Sequence, residues 1–161
     1  MHASACEHLL PVLKPGAKVL DVGSGSGYLS AVLAHLVTPG GSVVGIEHVQ
    51  PLVDLSERNM RKDGKHAAML ADDSVKLVCA DGRKGWAEGA PYDAIHVGAA
   101  AVKWHDELLA QLKNGGRMFI PVGDYEQHVY LVKKNEKGEI KKDKLFGVMY
   151  VPLTDKPLPD D

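Results

Sequence analysis

The sequence predicts an α/β fold in which helices cover both faces of a mostly parallel, twisted sheet and a carboxyl-terminal β-hairpin completes the sheet edge. Three observations predict it. Short β-branched runs alternate with longer amphipathic segments, turn residues punctuate each change, and the last forty residues switch to two strand-like runs around one charged turn. The 161 residues, 45% hydrophobic and 25% charged, suit a single domain over 1–161 with one buried core.

The chain opens in what reads as a helix, and the turn Lys14-Pro15-Gly16 leads into a first strand, Ala17 to Val22. A helix follows from Tyr28 to Val37 and ends at Thr38-Pro39-Gly40-Gly41. Ser42 to Glu47 makes the second strand, and Pro51 starts the next helix. Asp63 to Ser74 reads as a polar loop, Val75 to Cys79 as the third strand, and Tyr92 to Val97 as the fourth. His105 to Leu112 suits an amphipathic helix stopped by Asn114-Gly115-Gly116, before a fifth strand from Arg117 to Val122. His128 to Lys133 and Leu145 to Val151 flank the turn at Lys137-Gly138 as the hairpin.

Composition excludes several classes of function. Lys and Arg number 19 against 21 Asp and Glu, a net charge of -2, so no cationic field gathers nucleic acid. No apolar run approaches the roughly 20 residues that span a bilayer. Neither a secretory nor a transit signal is visible, and Cys6 and Cys79, the only cysteines, fit a reducing cytoplasm. Eight histidines raise the question of metal, but neither H-E-x-x-H nor a cysteine pair at zinc spacing is present. The six lysines between Lys133 and Lys144 alternate with Glu136, Glu139 and Asp143, which reads as a solvated hairpin.

The chemistry concentrates where strands end. In open α/β sheets ligands sit beyond the carboxyl ends of the strands, at the point where strand order reverses. The first strand runs into Asp21-Val22-Gly23-Ser24-Gly25-Ser26-Gly27, where glycines let the backbone turn tightly and approach a ligand. A dinucleotide fingerprint would need Gly or Ala where Tyr28 stands, which weakens the reading as an NAD-dependent oxidoreductase. Glu47 ends the second strand, where a carboxylate accepts from ribose hydroxyls, and Asp81 follows the third, where it accepts from an adenine amino group beside the Gly82 amide. Three carboxylates repel a polyphosphate and no P-loop Lys-[Ser/Thr] follows the glycines. One ligand, S-adenosylmethionine, accounts for all three acids. Singly, Asp21 could hold its loop, Glu47 cap the next helix and Asp81 open a turn.

Met1-His2-Ala3, Ala17 to Gly27, Val44-Gly45-Ile46-Glu47-His48, Asp81-Gly82-Arg83, Pro91 to Ala101 and Val148 to Asp155 together resemble the protein-L-isoaspartate (D-aspartate) O-methyltransferase family over nearly the whole chain. The resemblance implies a Rossmann-like S-adenosylmethionine-dependent methyltransferase fold, with isoaspartyl proteins and peptides as acceptors; a monomer is the expectation for the chain itself. It places cofactor contacts on His2, Gly23, Ser26, Glu47, His48, Asp81, Gly82 and Thr154. The family often carries Asp where Glu47 stands, and Pro159 occupies about the position of a glutamine that some members use. Family members carry a region ending in Thr-Ile-Ser-Ala-Pro-His-Met-His-Ala, and this chain begins at the last Met-His-Ala. The expectation is therefore an amino-terminally shortened domain. The serine implicated in catalysis precedes Met1, and no catalytic residue is assigned within the chain. A cofactor-binding module that transfers methyl groups weakly is the alternative. His96, inside an apolar strand, reads as a packed, hydrogen-bonded residue and receives no catalytic role.

Overall fold

The structure is a computed structural model and describes residues 1–153. Seven strands form one sheet in the order β3-β2-β1-β4-β5-β6-β7. They are β1 (Lys18–Val22), β2 (Ser42–Glu47), β3 (Val75–Cys79), β4 (Tyr92–Val97), β5 (Leu112–Val122), β6 (Gln127–Lys134) and β7 (Ile140–Val148). The first five run parallel, whereas β6 pairs antiparallel to both β5 and β7. Strand order therefore reverses between β1 and β4, which pair in register at Asp21 and His96.

Helices α1 (His2–Leu9), α2 (Tyr28–Leu36), α3 (Gln50–Arg61) and α4 (Gly64–Ala71) bring Leu9, Leu33, Met60 and Met69 into a core with Val19, Val43 and Phe119. On the other face, α5 (Asp106–Gln111) brings Leu108 against Leu20, Ile95 and Met118. Strands buried on both faces are the expected consequence of this layering, and β1 and β4 are buried along nearly their whole length, Asp21 and His96 included. α3 buries Val53, Ser56 and Met60, spaced to fall on one helical stripe, and its Arg58 and Arg61 lie in the last turn, where cations suit the helix dipole. Among the described residues no helix is long and apolar enough to cross a membrane.

Three boundaries differ from the sequence reading. The expected loop from Asp63 to Ser74 contains α4, because the Asp63 side chain accepts from the amides of Lys65 and His66 and so caps a run of good helix formers. β5 begins at Leu112 rather than Arg117: Tyr92 pairs with Leu112 and Ala94 with Arg117, so Lys113 to Gly116 form a bulge within the strand instead of a loop before it. The hairpin's second strand spans Ile140–Val148, not Leu145 to Val151, and its lysines point outward along a sheet edge where charge discourages further pairing.

Candidate functional site

Two adjoining cavities open at the carboxyl ends of β1, β2 and β4. One, of about 210 Å³, is lined by Ile46, Glu47, His48, Leu52, Gly82 and the segment Val151 to Leu153. The other, of about 300 Å³, is lined by Met1, His2, Asp21, Ser26, His96 and Tyr150. Gly23 and Gly98 line both, at the tips of the two strands where order reverses.

The glycine loop builds the wall between β1 and α2. Gly27 precedes α2 with φ of 84°, a left-handed conformation, and a Cβ there would stand 2.9 Å from the Ser56 Cβ. The loop is tied to β2: the amides of Gly23 and Ser24 donate to the Ile46 carbonyl at 2.8 and 2.9 Å, and that of Gly25 donates to Glu47 Oε2 at 3.2 Å. Glu47 is 5% exposed. Its Oε1 accepts from the His48 and Val49 amides and lies 2.9 Å from His48 Nδ1. Oε2 has one partner, so it retains acceptor capacity toward the cavity that Glu47 lines.

Gly82 brings backbone to the first cavity. A Cβ there would lie 2.5 Å from Val22 Cγ1, so only a glycine lets this turn approach so closely. Asp81 is placed differently from the expectation. It opens the turn Gly82–Lys84 and receives the Arg83 guanidinium on both oxygens, at 2.8 to 3.2 Å, with the Arg83 amide at 3.0 Å. These bonds hold its carboxyl below its ordinary pKa against partial desolvation. The first cavity is thus lined by Gly82, with the Asp81 carboxylate turned to Arg83.

In the second cavity, His2 stacks on Tyr28 with ring centroids 6.0 Å apart, and Ser26 stands at the start of α2. Asp21 is 1% exposed and is shared between Ser30 Oγ at 2.6 Å and His96 Nδ1 at 2.8 Å. Its charge, after burial, raises the Cys6 thiol above its usual pKa. His96 is packed and hydrogen-bonded as its strand position suggests, stacked 6.1 Å from Phe119.

Although Val148 to Asp155 is among the segments that carry the family resemblance, Ile46, Leu52, Gly98 and the segment from Tyr150 to Leu153 line the cavities without a cofactor contact assigned from the sequence. Backbone hydrogen bonds fix that segment: Ala100 donates to Val151 at 2.8 Å, Leu153 to Ala100 at 2.8 Å, and Gln127 clamps Tyr150 through Oε1 and Nε2 at 2.6 and 3.0 Å. No local signal reports such a crossing, because Ala100 and Gln127 meet it only through the fold. Thr154 and Pro159 lie outside the described residues.

The family model for protein-L-isoaspartate(D-aspartate) O-methyltransferase (PCMT) matches residues 1–158. The chain belongs to this family. Protein-L-isoaspartate O-methyltransferase 2 of Arabidopsis thaliana is 50% identical over 156 residues, 97% of this chain and 50% of that protein. The Triticum aestivum protein-L-isoaspartate O-methyltransferase is 49% identical over 97% of this chain and 67% of its own length. This family member therefore spans between half and about two thirds of those relatives. Among solved structures, a Plasmodium falciparum beta-aspartate methyltransferase (PCMT), in complex with S-adenosyl-L-homocysteine, superposes with a TM-score of 0.85 at 36% identity, covering 96% of this chain and 73% of that one.

Proposed function

We propose that this chain binds S-adenosylmethionine across the two cavities and serves methyl transfer to the side-chain carboxylate of L-isoaspartyl and D-aspartyl residues in damaged proteins. The observation that carries the reading is the shape and polarity of the paired cavities. The Glu47 cavity has an apolar slot of Ile46, Leu52, Val151 and Leu153 with a carboxylate at its rim, which suits an adenine and its ribose. The Asp21 cavity is lined by His2, Asp21, Ser24, Ser26 and His96, side chains that suit an aminoacyl tail. The sulfur then falls near Gly23 and Gly98, where the absence of side chains leaves room. The family supports the reading, as does the S-adenosyl-L-homocysteine in the Plasmodium falciparum relative.

The cofactor supplies a methyl group on a cationic sulfonium. The protein's part is binding, orientation and exclusion of water. Glu47 Oε2 accepts from the ribose, Gly82 brings backbone to the base, and the first turn of α2 presents amides to the tail carboxylate. An aspartyl carboxylate, with an ordinary pKa near 4, is ionised at neutral pH and needs no general base. What it needs is an approach along the breaking bond and a site from which water is kept out. The clamped segment from Tyr150 to Leu153 roofs both cavities and supplies that exclusion. Outside it, Met149 is 96% and Tyr125 99% exposed, and this edge fits an extended peptide docking through its backbone. The ester so formed carries a better leaving group than the carboxylate, and attack by the neighbouring backbone nitrogen expels methanol and closes a succinimide, which water reopens partly to normal aspartate. Free Cys6 and Cys79 fit a cytoplasmic setting.

Calorimetry tests the binding half: S-adenosylhomocysteine should bind and NAD should not. Binding of NAD with none of S-adenosylhomocysteine would favour the oxidoreductase alternative.

A further inference from the structure

The Asp21 cavity is lined by a buried histidine with one ring nitrogen whose partner the described fold does not supply. His96 is 6% exposed and lines this cavity. Its Nδ1 lies 2.8 Å from Asp21 Oδ1. A carboxylate only accepts, so Nδ1 carries a proton toward Asp21, and the tautomer with that single proton leaves a lone pair on Nε2. Nε2 has no hydrogen-bond partner among the described residues, where Nδ1 makes the ring's bond. Yet no buried side-chain polar atom of those residues is left unpaired. Nε2 is therefore open to the cavity. The ring is held there by pairing of β1 with β4 at Asp21 and His96, by stacking on Phe119 with planes 17° apart, and by the Ser30 hydroxyl, which fixes the other Asp21 oxygen.

We propose that His96 Nε2 is the acceptor for the ammonium of the cofactor's aminoacyl tail, with Asp21 supplying the countercharge behind it. The inference rests on the cofactor reading given above. Charge selects the tail's ammonium over its carboxylate. The titratable groups around the ring are Asp21 on β1, Cys6 on α1, His2 and the Met1 amino group at the start of the chain, and Tyr150 on the roof; His8 lies beyond Phe119. Asp21 is bonded to a hydroxyl and an imidazole rather than to Lys or Arg, so its charge reaches the cavity through the His96 ring. A ligand carboxylate placed there would be repelled, whereas an ammonium offers donors to a lone pair and charge to Asp21. The tail carboxylate then faces the opposite wall, at Ser26 and the amides opening α2.

Calorimetry with S-adenosylhomocysteine and its desamino analogue, in which hydrogen replaces the ammonium, decides the matter. The unaltered chain should bind the parent at least about ten-fold more tightly than the analogue, the scale of a hydrogen bond to a charged group. Equal affinities overturn the proposal. His96→Asn places an amide nitrogen where Nδ1 stands, so Asp21 keeps a partner, but has no atom at Nε2. It should lose about ten-fold in affinity for the parent and none for the analogue. A loss shared by both ligands, or no loss for either, would make His96 a support for Asp21 alone and overturn the proposal. If the variant does not fold, equal affinities of the two ligands on the unaltered chain still overturn the proposal. Binding of neither ligand to that chain would reject the cofactor reading itself.

Discussion

Replacing Glu47 with Ala removes a carboxylate that has one task in the structure and a second in the proposed cofactor site, and the two losses separate in different assays. The first task is internal: Oε1 and Oε2 accept from the amides of His48, Val49 and Gly25 at 2.9, 3.3 and 3.2 Å. Net contributions of about 0.5–1.5 kcal/mol per bond give a stability loss of roughly 1.5–4 kcal/mol, reduced where water reaches the freed amides. At about 2–4 °C per kcal/mol for a domain of this size, Tm should fall by roughly 3–16 °C. The second task is the ribose. One hydrogen bond to a charged acceptor contributes about 1.5–3 kcal/mol, so Kd for S-adenosylhomocysteine should rise roughly ten- to hundred-fold. Glu47→Gln, which keeps one acceptor oxygen, should lie between the two in both assays. Scanning fluorimetry reads the first loss, and calorimetry well below the variant's Tm reads the second. A folded Glu47→Ala protein that binds S-adenosylhomocysteine within about two-fold of the unaltered chain would refute the ribose assignment.

Gly82→Ala should lower stability by about 1–3 kcal/mol, the usual range for overpacking, because its Cβ would meet Val22 Cγ1 at 2.5 Å; urea unfolding with no change would show that the turn yields freely. Arg83 depresses the Asp81 pKa, so Asp81 contributes stability above the unfolded value near pH 4 and loses it as pH falls through its lower folded value. The stability difference between the unaltered chain and Asp81→Asn should accordingly be level from about pH 5 to 7 and shrink below about pH 4; a difference that grows in acid would contradict the pairing. The Tyr92 phenol, buried and near Glu88, is pushed up to about 12 while it donates to the Trp86 carbonyl. Phenolate absorbance at about pH 11 should therefore report at least one of the five tyrosines still protonated, and Tyr92→Phe should remove the late step.

Period and punctuation made the parallel half of the sheet legible. β1, β2 and β4 each pair two-residue alternation or an apolar run with flanking glycine or proline, β3 is an alternating run between polar turns, and the bounds of all four fall within a residue of the expectation. α4 was hidden because it buries only Met69, leaving no apolar stripe to read; its signal was the Asp63 cap, which a polar stretch disguises. The bulged start of β5 was hidden for a different reason: Asn114-Gly115-Gly116 is turn chemistry, and only pairing with β4 draws the backbone on either side of it into the strand. At the site, strand ends and glycine spacing mark Glu47, Ser26, Gly23 and Gly82, while His48 is marked by the family resemblance alone. The sequence cannot tell that Arg83 claims the Asp81 carboxylate, nor that β1 and β4 set Asp21 beside His96, since both facts are contacts in space. The roof from Tyr150 to Leu153 is likewise a product of Gln127 and Ala100, which lie 23 and about 50 residues away.

The most direct measurement is transfer of a labelled methyl group from S-adenosylmethionine to matched peptides that differ only in carrying an isoaspartyl or an aspartyl linkage. The account predicts a base-labile label on the isoaspartyl peptide, far above that on the aspartyl one. Equal labelling of the two peptides, or S-adenosylhomocysteine bound in calorimetry with no label on either, would contradict it.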